Sequence, residues 1–293
     1  MQVLSTFREA YSGRVLAPLT ILAVKALHDR SKAHCKVEAA EKEEFEHPWP
    51  SNAWAADSCL RWRRTWDPDW DGRAPQTNGK TVGASRHLLL IRHGQYDLEE
   101  KANGLTEKGR EQSRRLAARL AEMQGMPFRE DGHDFKMRFA GIWSSDVLRA
   151  RQTADIISEH LPGVPLHEPD PVLAEGKGAV PLPQYEKQQE ITSNDWRESA
   201  QFDLAFRQYF HREVNHKDAR EILMYNRDAE PKFEIIVCHC NIIRYFVLRA
   251  LQLPPEAWLR IAGYNTFITE VVIRADGRVT LECYGDTGHL PLE

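Results

Sequence analysis

Two histidines stand where a chain delivers side chains to a ligand. The apolar run Leu88-Leu-Leu-Ile91 ends in Arg92, His93 and Gly94, and the run Phe233-Glu-Ile-Ile-Val-Cys238 ends in His239, followed closely by Asn241. In an open α/β sheet ligands bind just beyond the carboxyl ends of strands, so two such runs would hold both imidazoles over one pocket. An imidazole has a reference pKa of about 6.5, and neighbouring cations disfavour its charged form, which leaves a ring nitrogen free to attack phosphorus at neutral pH. His93, beside Arg92 and expected near Arg149, suits that nucleophilic role; a phosphohistidine would split one difficult displacement into two easier ones. Arg92, Arg149, His239 and Asn241 would meet the charge on the phosphoryl oxygens. Glu175, between an apolar strand end and Gly176, would protonate the leaving oxygen if the phosphate raises its pKa. Taken singly, each has a plainer reading: a hydrogen-bonded strand-end histidine, a surface helix arginine, an ordinary loop carboxylate. The set carries the catalytic reading. No cofactor or metal is expected, because no Mg²⁺ motif is evident and Cys238 and Cys240, which flank His239, have no second cluster to complete a tetrahedral site.

The elements that must position these residues alternate between strand and helix patterns. Thr106 is a suitable N-cap for a helix running through Met123, and Phe139 to Trp143 reads as a strand. A helix opens after Ser145, carries Arg149 in its first turns and is stopped by Leu161-Pro-Gly163. Helical spacing returns at Arg197 to Val214, with Phe202, Phe206, Tyr209 and Phe210 as core, and Asn241 to Leu253 forms a helix ended by Pro254-Pro255. Thr266 to Arg274 and Arg278 to Tyr284, joined through Asp276-Gly277, predict a closing hairpin. His87, His133, His160 and His211 are assigned to structure or surface. These patterns predict an α/β fold, a mainly parallel sheet covered by helices on both faces, with an N-terminal extension. The chain of 293 residues divides into an anchor or targeting segment at 1–35, a spacer, docking motif and tether at 36–86, and a catalytic domain at 87–293. A net charge of −4 gives no drive toward nucleic acid. Five scattered cysteines argue against a disulfide framework.

The extension has its own pattern. Val15 to Leu27 is mostly apolar but contains Pro18 and Lys25, and at 1.5 Å per residue it reaches only about 20 Å, short of the roughly 30 Å hydrocarbon core. It is read as a short membrane anchor, an interfacial helix, a targeting segment or a helix packed on the domain, and its excess of Arg and Lys leans toward organelle import. Five of the eight tryptophans lie between residues 49 and 70, a density that disordered linkers do not show. There, Trp66-Asp67-Pro68-Asp69-Trp70-Asp71 sets two aromatic plates and three carboxylates around a rigid turn, and the residues from Gly72 to Ser85 read as a tether. Such a motif can clasp its own domain or dock on a neighbour's; the expectation is a homo-oligomer assembled through Trp66, Asp67, Asp69, Trp70 and Asp71, with the arginines between Arg244 and Arg260 as partners.

Arg92-His93-Gly94, Arg149-Ala-Arg-Gln-Thr-Ala154, Leu173-Ala-Glu175-Gly176 and His239 occur in the order that marks the histidine phosphatase superfamily, to which the phosphoglycerate mutases belong, and the resemblance spans roughly residues 87 to 285. Cys238-His-Cys-Asn-Ile-Ile-Arg-Tyr245, Leu253-Pro-Pro-Glu-Ala-Trp-Leu-Arg260 and Gly285-Asp-Thr-Gly288, with the tryptophan–aspartate motif upstream, resemble the mitochondrial protein serine/threonine phosphatases of that superfamily. The sequence departs from one member of that group at Gly94, in place of a serine, at Asp69, in place of an asparagine, and in a longer segment near Gly125 to Arg138. The resemblance implies a phosphoglycerate mutase-like fold, phosphoprotein substrates, a metal-independent phosphohistidine mechanism, a mitochondrial and membrane-associated setting, and assembly through the motif. Two alternatives stay open: a small-molecule phosphatase or mutase on the same residues, and an oligomeric interaction protein with secondary catalysis.

Overall fold

The computed structural model describes residues 66–74, 84–97, 103–130, 132–182, 193–213 and 230–291, all within one compact unit of residues 53–293. The expectations for Val15 to Leu27, the charged spacer, Trp49, Trp54, Trp62 and the middle of the tether fall outside the described residues.

Strand β1 (Arg86–Arg92) is the centre of a five-stranded sheet. On one side it pairs in parallel with β5 (Lys232–Cys238), which pairs in parallel with β4 (Phe139–Ser144). On the other side the closing hairpin, β6 (Ile268–Ile273) and β7 (Val279–Asp286), adds antiparallel. The period-two alternation of a strand explains how one run serves two cores. Leu88 and Leu90, with Ile236 and Cys238, pack under helices α3 (Ser193–Tyr209) and α4 (Cys240–Ala250). Leu89 and Ile91, with Ile235 and Val237, pack under α1 (Glu107–Met123) and α2 (Leu148–His160). The expected mainly parallel sheet with helices on both faces is therefore the architecture observed, with the hairpin as its antiparallel edge. Register matters most for function. Arg92 lies opposite Cys238 and Ser144 opposite Val237, so the parallel strands end together and release His93, Ser145 and His239 at one edge.

Two helices start and end earlier than their patterns, and their ends have local reasons. Helix α3 stops at Tyr209, where buried Arg86 donates to the carbonyls of Tyr209 and His211 while its other nitrogens pair with Glu234. Helix α4 stops at Ala250 because Gln252 takes a φ of +54°, and Leu253 N–H and Gln252 N–H turn back to the carbonyls of Leu248 and Arg249, a Schellman turn that satisfies the last carbonyls of a helix.

The long segment after α1 is a two-stranded hairpin, β2 (Pro127–Glu130) and β3 (His133–Lys136). Its inward residues dock at the amino end of β1: Phe128 meets the rings of His87 and Phe233 edge-on at 5.1 and 5.3 Å. Glu130 accepts from Ser85 and Arg274. His87 is structural, as expected, and Glu270 receives its Nδ1 at 2.8 Å. Burial alone would lower the His87 pKa; the hydrogen bonds and charges of Glu130 and Glu270 outweigh it and raise the pKa.

The tryptophan–aspartate motif rests on the catalytic unit of its own chain. Trp70 Nε1 donates to Gly277 O at 2.8 Å, and its ring lies 5.9 Å from that of Phe206. Asp71 receives the Arg212 guanidinium at 2.7 Å, and Gln252 exchanges two hydrogen bonds with the backbone of Asp67. Asp67 and Asp69 accept from Asp69 N–H and Ala74 N–H and so shape the turn itself. Within its own chain the arginine partner of the motif is Arg212, buried directly beneath it.

Candidate active site

His93 follows β1 into the sheet edge and is 1% exposed. Its backbone is tied on both sides: His93 N–H donates to Cys238 O at 3.1 Å, and Gly94 N–H donates to Thr153 Oγ1 at 3.1 Å. A carbonyl only accepts, so the 2.7 Å contact between His93 Nδ1 and Gly94 O fixes the proton on Nδ1 and leaves Nε2 unprotonated, with a lone pair that accepts. Arg149 Nε donates to that lone pair at 3.0 Å. Burial, followed by the charges of Arg149 and Arg92, pushes the His93 pKa down to about 3, so the ring is neutral at physiological pH.

Gly94 sits at a close approach in this chain. A Cβ there would stand 2.5 Å from Gly109 O and 2.9 Å from Ser113 Oγ, and one at Gly109 would stand 1.9 Å from Gln95 O. The first turn of α1 therefore presses against the strand-end loop. Thr106 caps that helix as expected, its hydroxyl accepting from Gly109 N–H at 3.0 Å.

Arg149 comes from the first turn of α2, and its guanidinium lies 4.3 Å above the ring of Tyr96, a cation–π contact that orients the fork. Arg92 donates through Nη1 to Gly263 O at 3.1 Å, while its Nε is buried without a partner. Among the described residues neither arginine makes an ion pair. Two partly desolvated guanidinium groups with no ion-pair partner form a site for an anion with several oxygens.

His239 begins α4 and is fully buried, its ring 5.1 Å from that of His93. Its Nε2 is 2.9 Å from Ser145 Oγ and its Nδ1 has no partner. Burial first, then the charges of His93, Arg149 and Arg92, push its pKa down to about 2. A neutral His239 that accepts the Ser145 proton at Nε2 carries its own at Nδ1, a ready donor.

Glu175 is half-buried in the loop after a short 3-10 turn at Pro171–Leu173. Its Oε1 accepts from Asn241 N–H at 3.2 Å. Burial raises its pKa against the opposing pull of the Gly176 and Asn241 N–H groups and of Arg149 and Arg92. A carboxyl so placed can hold a proton and give it up.

The structure thus brings His93, Arg92, Arg149, Glu175 and His239 together. Asn241 lies beside Glu175, its backbone N–H on the Glu175 carboxyl at 3.2 Å. Its side chain donates one N–H to Gly176 O at 3.1 Å and accepts from Arg244 at 3.2 Å, so it secures the Glu175 loop. Ser145, Thr153, Tyr96 and Asn265 escape the sequence reading. Ser145 follows a third parallel strand, and Thr153 lies one turn beyond Arg149 on the same helix face, so both carried a readable signal; Asn265, which donates to His93 O at 3.2 Å, carried none. Among the described residues no cluster of three or more His, Cys, Asp or Glu could hold a metal, and Cys238 and Cys240 are free and buried.

Residues 88–287 match the model of the histidine phosphatase superfamily (branch 1). The chain is 34% identical over 248 residues to the mitochondrial serine/threonine-protein phosphatase Pgam5 of Caenorhabditis elegans, covering 78% of this chain and 79% of that protein. It is 38% identical over 249 residues to the human serine/threonine-protein phosphatase PGAM5, mitochondrial, covering 77% and 78% of the two. A solved phosphoglycerate mutase from Plasmodium falciparum is 27% identical, with a TM-score of 0.47 over 72% of this chain and 97% of that one. The chain belongs to branch 1 of the histidine phosphatase superfamily, is a phosphatase, and is kin to the PGAM5 serine/threonine-protein phosphatases.

Proposed function

We propose that this phosphatase removes phosphate from phosphoserine and phosphothreonine in proteins at mitochondria, through a phosphohistidine on His93 and without a metal ion. One observation carries the mechanism: Nδ1–H of His93 is held by Gly94 O while Nε2, unprotonated, faces Arg149 at 3.0 Å. In the first step Nε2 attacks phosphorus and the bond to the seryl or threonyl oxygen breaks. Glu175 gives its proton to the departing oxygen. In the second step water attacks phosphorus, Glu175 takes up a proton of that water, and the bond from phosphorus to Nε2 breaks, returning a neutral imidazole and free phosphate. Arg92, Arg149 and Nδ1–H of His239 meet the charge spread over the phosphoryl oxygens, the largest catalytic effect asked of fixed donors.

The names of the relatives support both the protein substrates and the mitochondrial setting. Residues 15–27 are the proposed membrane contact; among the described residues no helix is long and apolar enough to cross a membrane. Assembly into a homo-oligomer through Trp66 to Asp71 is part of the same reading, in which the docking surface around buried Arg212 receives a neighbour's motif. Rapid quenching with labelled phosphopeptide tests the chemistry: an acid-labile, base-stable phosphoenzyme is expected in the wild type and not in His93→Ala. Near-normal turnover in that variant refutes the mechanism. Phosphopeptides assayed beside bisphosphorylated sugars and glycerates test the substrate class, and a higher kcat/KM on the small molecules would overturn it.

A further inference from the structure

The nucleophile is supported from a side that the reaction itself does not use. The loop before β6 wraps the carbonyl face of the Arg92–His93 pair: Asn265 Nδ2 and Thr266 N–H both donate to His93 O, at 3.2 and 3.4 Å, and Phe267 O accepts from Arg92 N–H at 3.4 Å. At the middle of this cradle Thr266 is fully buried and has a φ of +54°. The left-handed region is unfavourable for any residue with a Cβ and a genuine outlier for a β-branched one, so something must hold Thr266 there.

Its hydroxyl identifies the holder. Thr266 Oγ1 donates its only proton to Asn265 O at 2.8 Å and lies 3.1 Å from His289 Nε2. The His289 nitrogen must therefore be the donor, which puts its proton on Nε2 and leaves Nδ1, buried and without a partner, as the bare nitrogen. Burial and the charge of Arg119 push the His289 pKa down to about 4, in keeping with a neutral ring. His289 is itself anchored. It lies in the turn after β7, where Leu290 N–H donates to Thr287 O at 2.8 Å, and Asp286, two residues before that turn's Gly288, pairs with Arg119 of α1.

We infer that His289 is a positioning residue for the nucleophile: by donating to Thr266 Oγ1 it holds Thr266 in its left-handed conformation, and Thr266 and Asn265 in turn hold the His93 carbonyl. The inference rests on the phosphohistidine reading above. The measured quantity is the single-turnover rate of phosphoenzyme formation from nitrophenyl phosphate, with KM taken from steady-state assays. His289→Ala is expected to slow that rate about tenfold while KM stays within about twofold, since a displaced attacking atom costs rate more than binding. His289→Gln, which retains a donor, should keep most of the rate. Thr266→Gly supplies the decisive comparison, because glycine takes a positive φ without help. In that background loss of His289 should have little further effect. If His289→Ala does not fold, His289→Phe keeps the ring, removes the donor and carries the same expectation. A wild-type rate in His289→Ala, or a loss of the same size whether or not Thr266→Gly is present, overturns the inference alone. A wild type that forms no phosphoenzyme at His93 overturns the mechanism and this inference with it.

Discussion

Replacing Arg212 with leucine should lift the Trp66–Ala74 segment off the catalytic unit. The side chains of Arg212 and Asp71 are 2% and 1% exposed, so the pair is buried. The guanidinium also donates to Pro68 O at 2.6 Å. Leucine restores much of the volume but no donor, leaving a buried carboxylate with only the N–H groups of residues 212 and 73 to meet it. Removing one member of a buried ion pair costs about 3–5 kcal/mol. Against this stand the Trp70 anchor, at about 2 kcal/mol or more for a buried tryptophan, and the exposed bonds to Gln252, at about 0.5–1.5 kcal/mol each. The two sides are comparable, and the undocked state gains chain entropy, so the segment leaves and Asp71 returns to water. The cost to the domain then stops at the docking energy. Hydrogen exchange read by mass spectrometry should show residues 66–74 losing protection while β1 and α4 keep theirs. Asp71→Asn added to Arg212→Leu should restore part of that protection, because a neutral amide costs less to bury than a carboxylate. Full protection in Arg212→Leu, or a double variant no better protected than the single one, would refute the claim that the buried charge pair holds the segment.

Acid should have a related effect on the wild type. Burial would raise the Asp71 pKa, but the hydrogen bonds and charge of Arg212 outweigh it and leave it depressed; its contribution is present above the unfolded value and lost as pH falls through the depressed one, so protection of residues 66–74, relative to the intrinsic exchange rate at each pH, should fall below about pH 4. Glu175→Gln should lower turnover about 10²-fold or more on phosphopeptide and much less on nitrophenyl phosphate, whose leaving group needs no proton. Since burial raises the Glu175 pKa and the protonated form acts first, phosphopeptide activity should decline as pH rises through that value, and the variant should lose this limb; equal losses on both substrates would reassign Glu175 to binding or structure. His87, with its raised pKa, contributes stability that is full below about 6.5, the unfolded value, and lost as pH rises through the folded one. Glu270→Gln should therefore flatten the alkaline decline of Tm. Sedimentation of the wild type beside Trp66→Ala/Trp70→Ala tests assembly: the double variant should fall to a smaller species, and a monomeric wild type ends the proposal.

What could be read from the sequence was what is local in the chain. A strand that is apolar on both faces and ends in Arg92-His93-Gly94 marks its own burial and the end that faces the candidate site, because alternation and strand-end chemistry are properties of consecutive residues. The same holds for the Thr106 cap, for Arg149 in the first turn of its helix and for Trp70 as a residue that must be covered. Tertiary structure decided everything that depends on which distant segment arrives opposite. Ser145 reaches His239 across 94 positions and Asn265 reaches His93 across 172, through the register of β4 on β5 and the antiparallel addition of β6. That Asn241 also ties down the Glu175 loop, through Gly176 O, is set by the direction of the first turn of α4, which sequence spacing does not carry. Arg212 had no signal as the partner of Asp71, since its burial arises only where the end of α3, the β6–β7 turn and the motif converge. The hairpin at 127–136 was legible only as extra length, because two four-residue strands carry too little alternation to declare themselves, and it is Glu130 and Phe128 closing on His87 that place them.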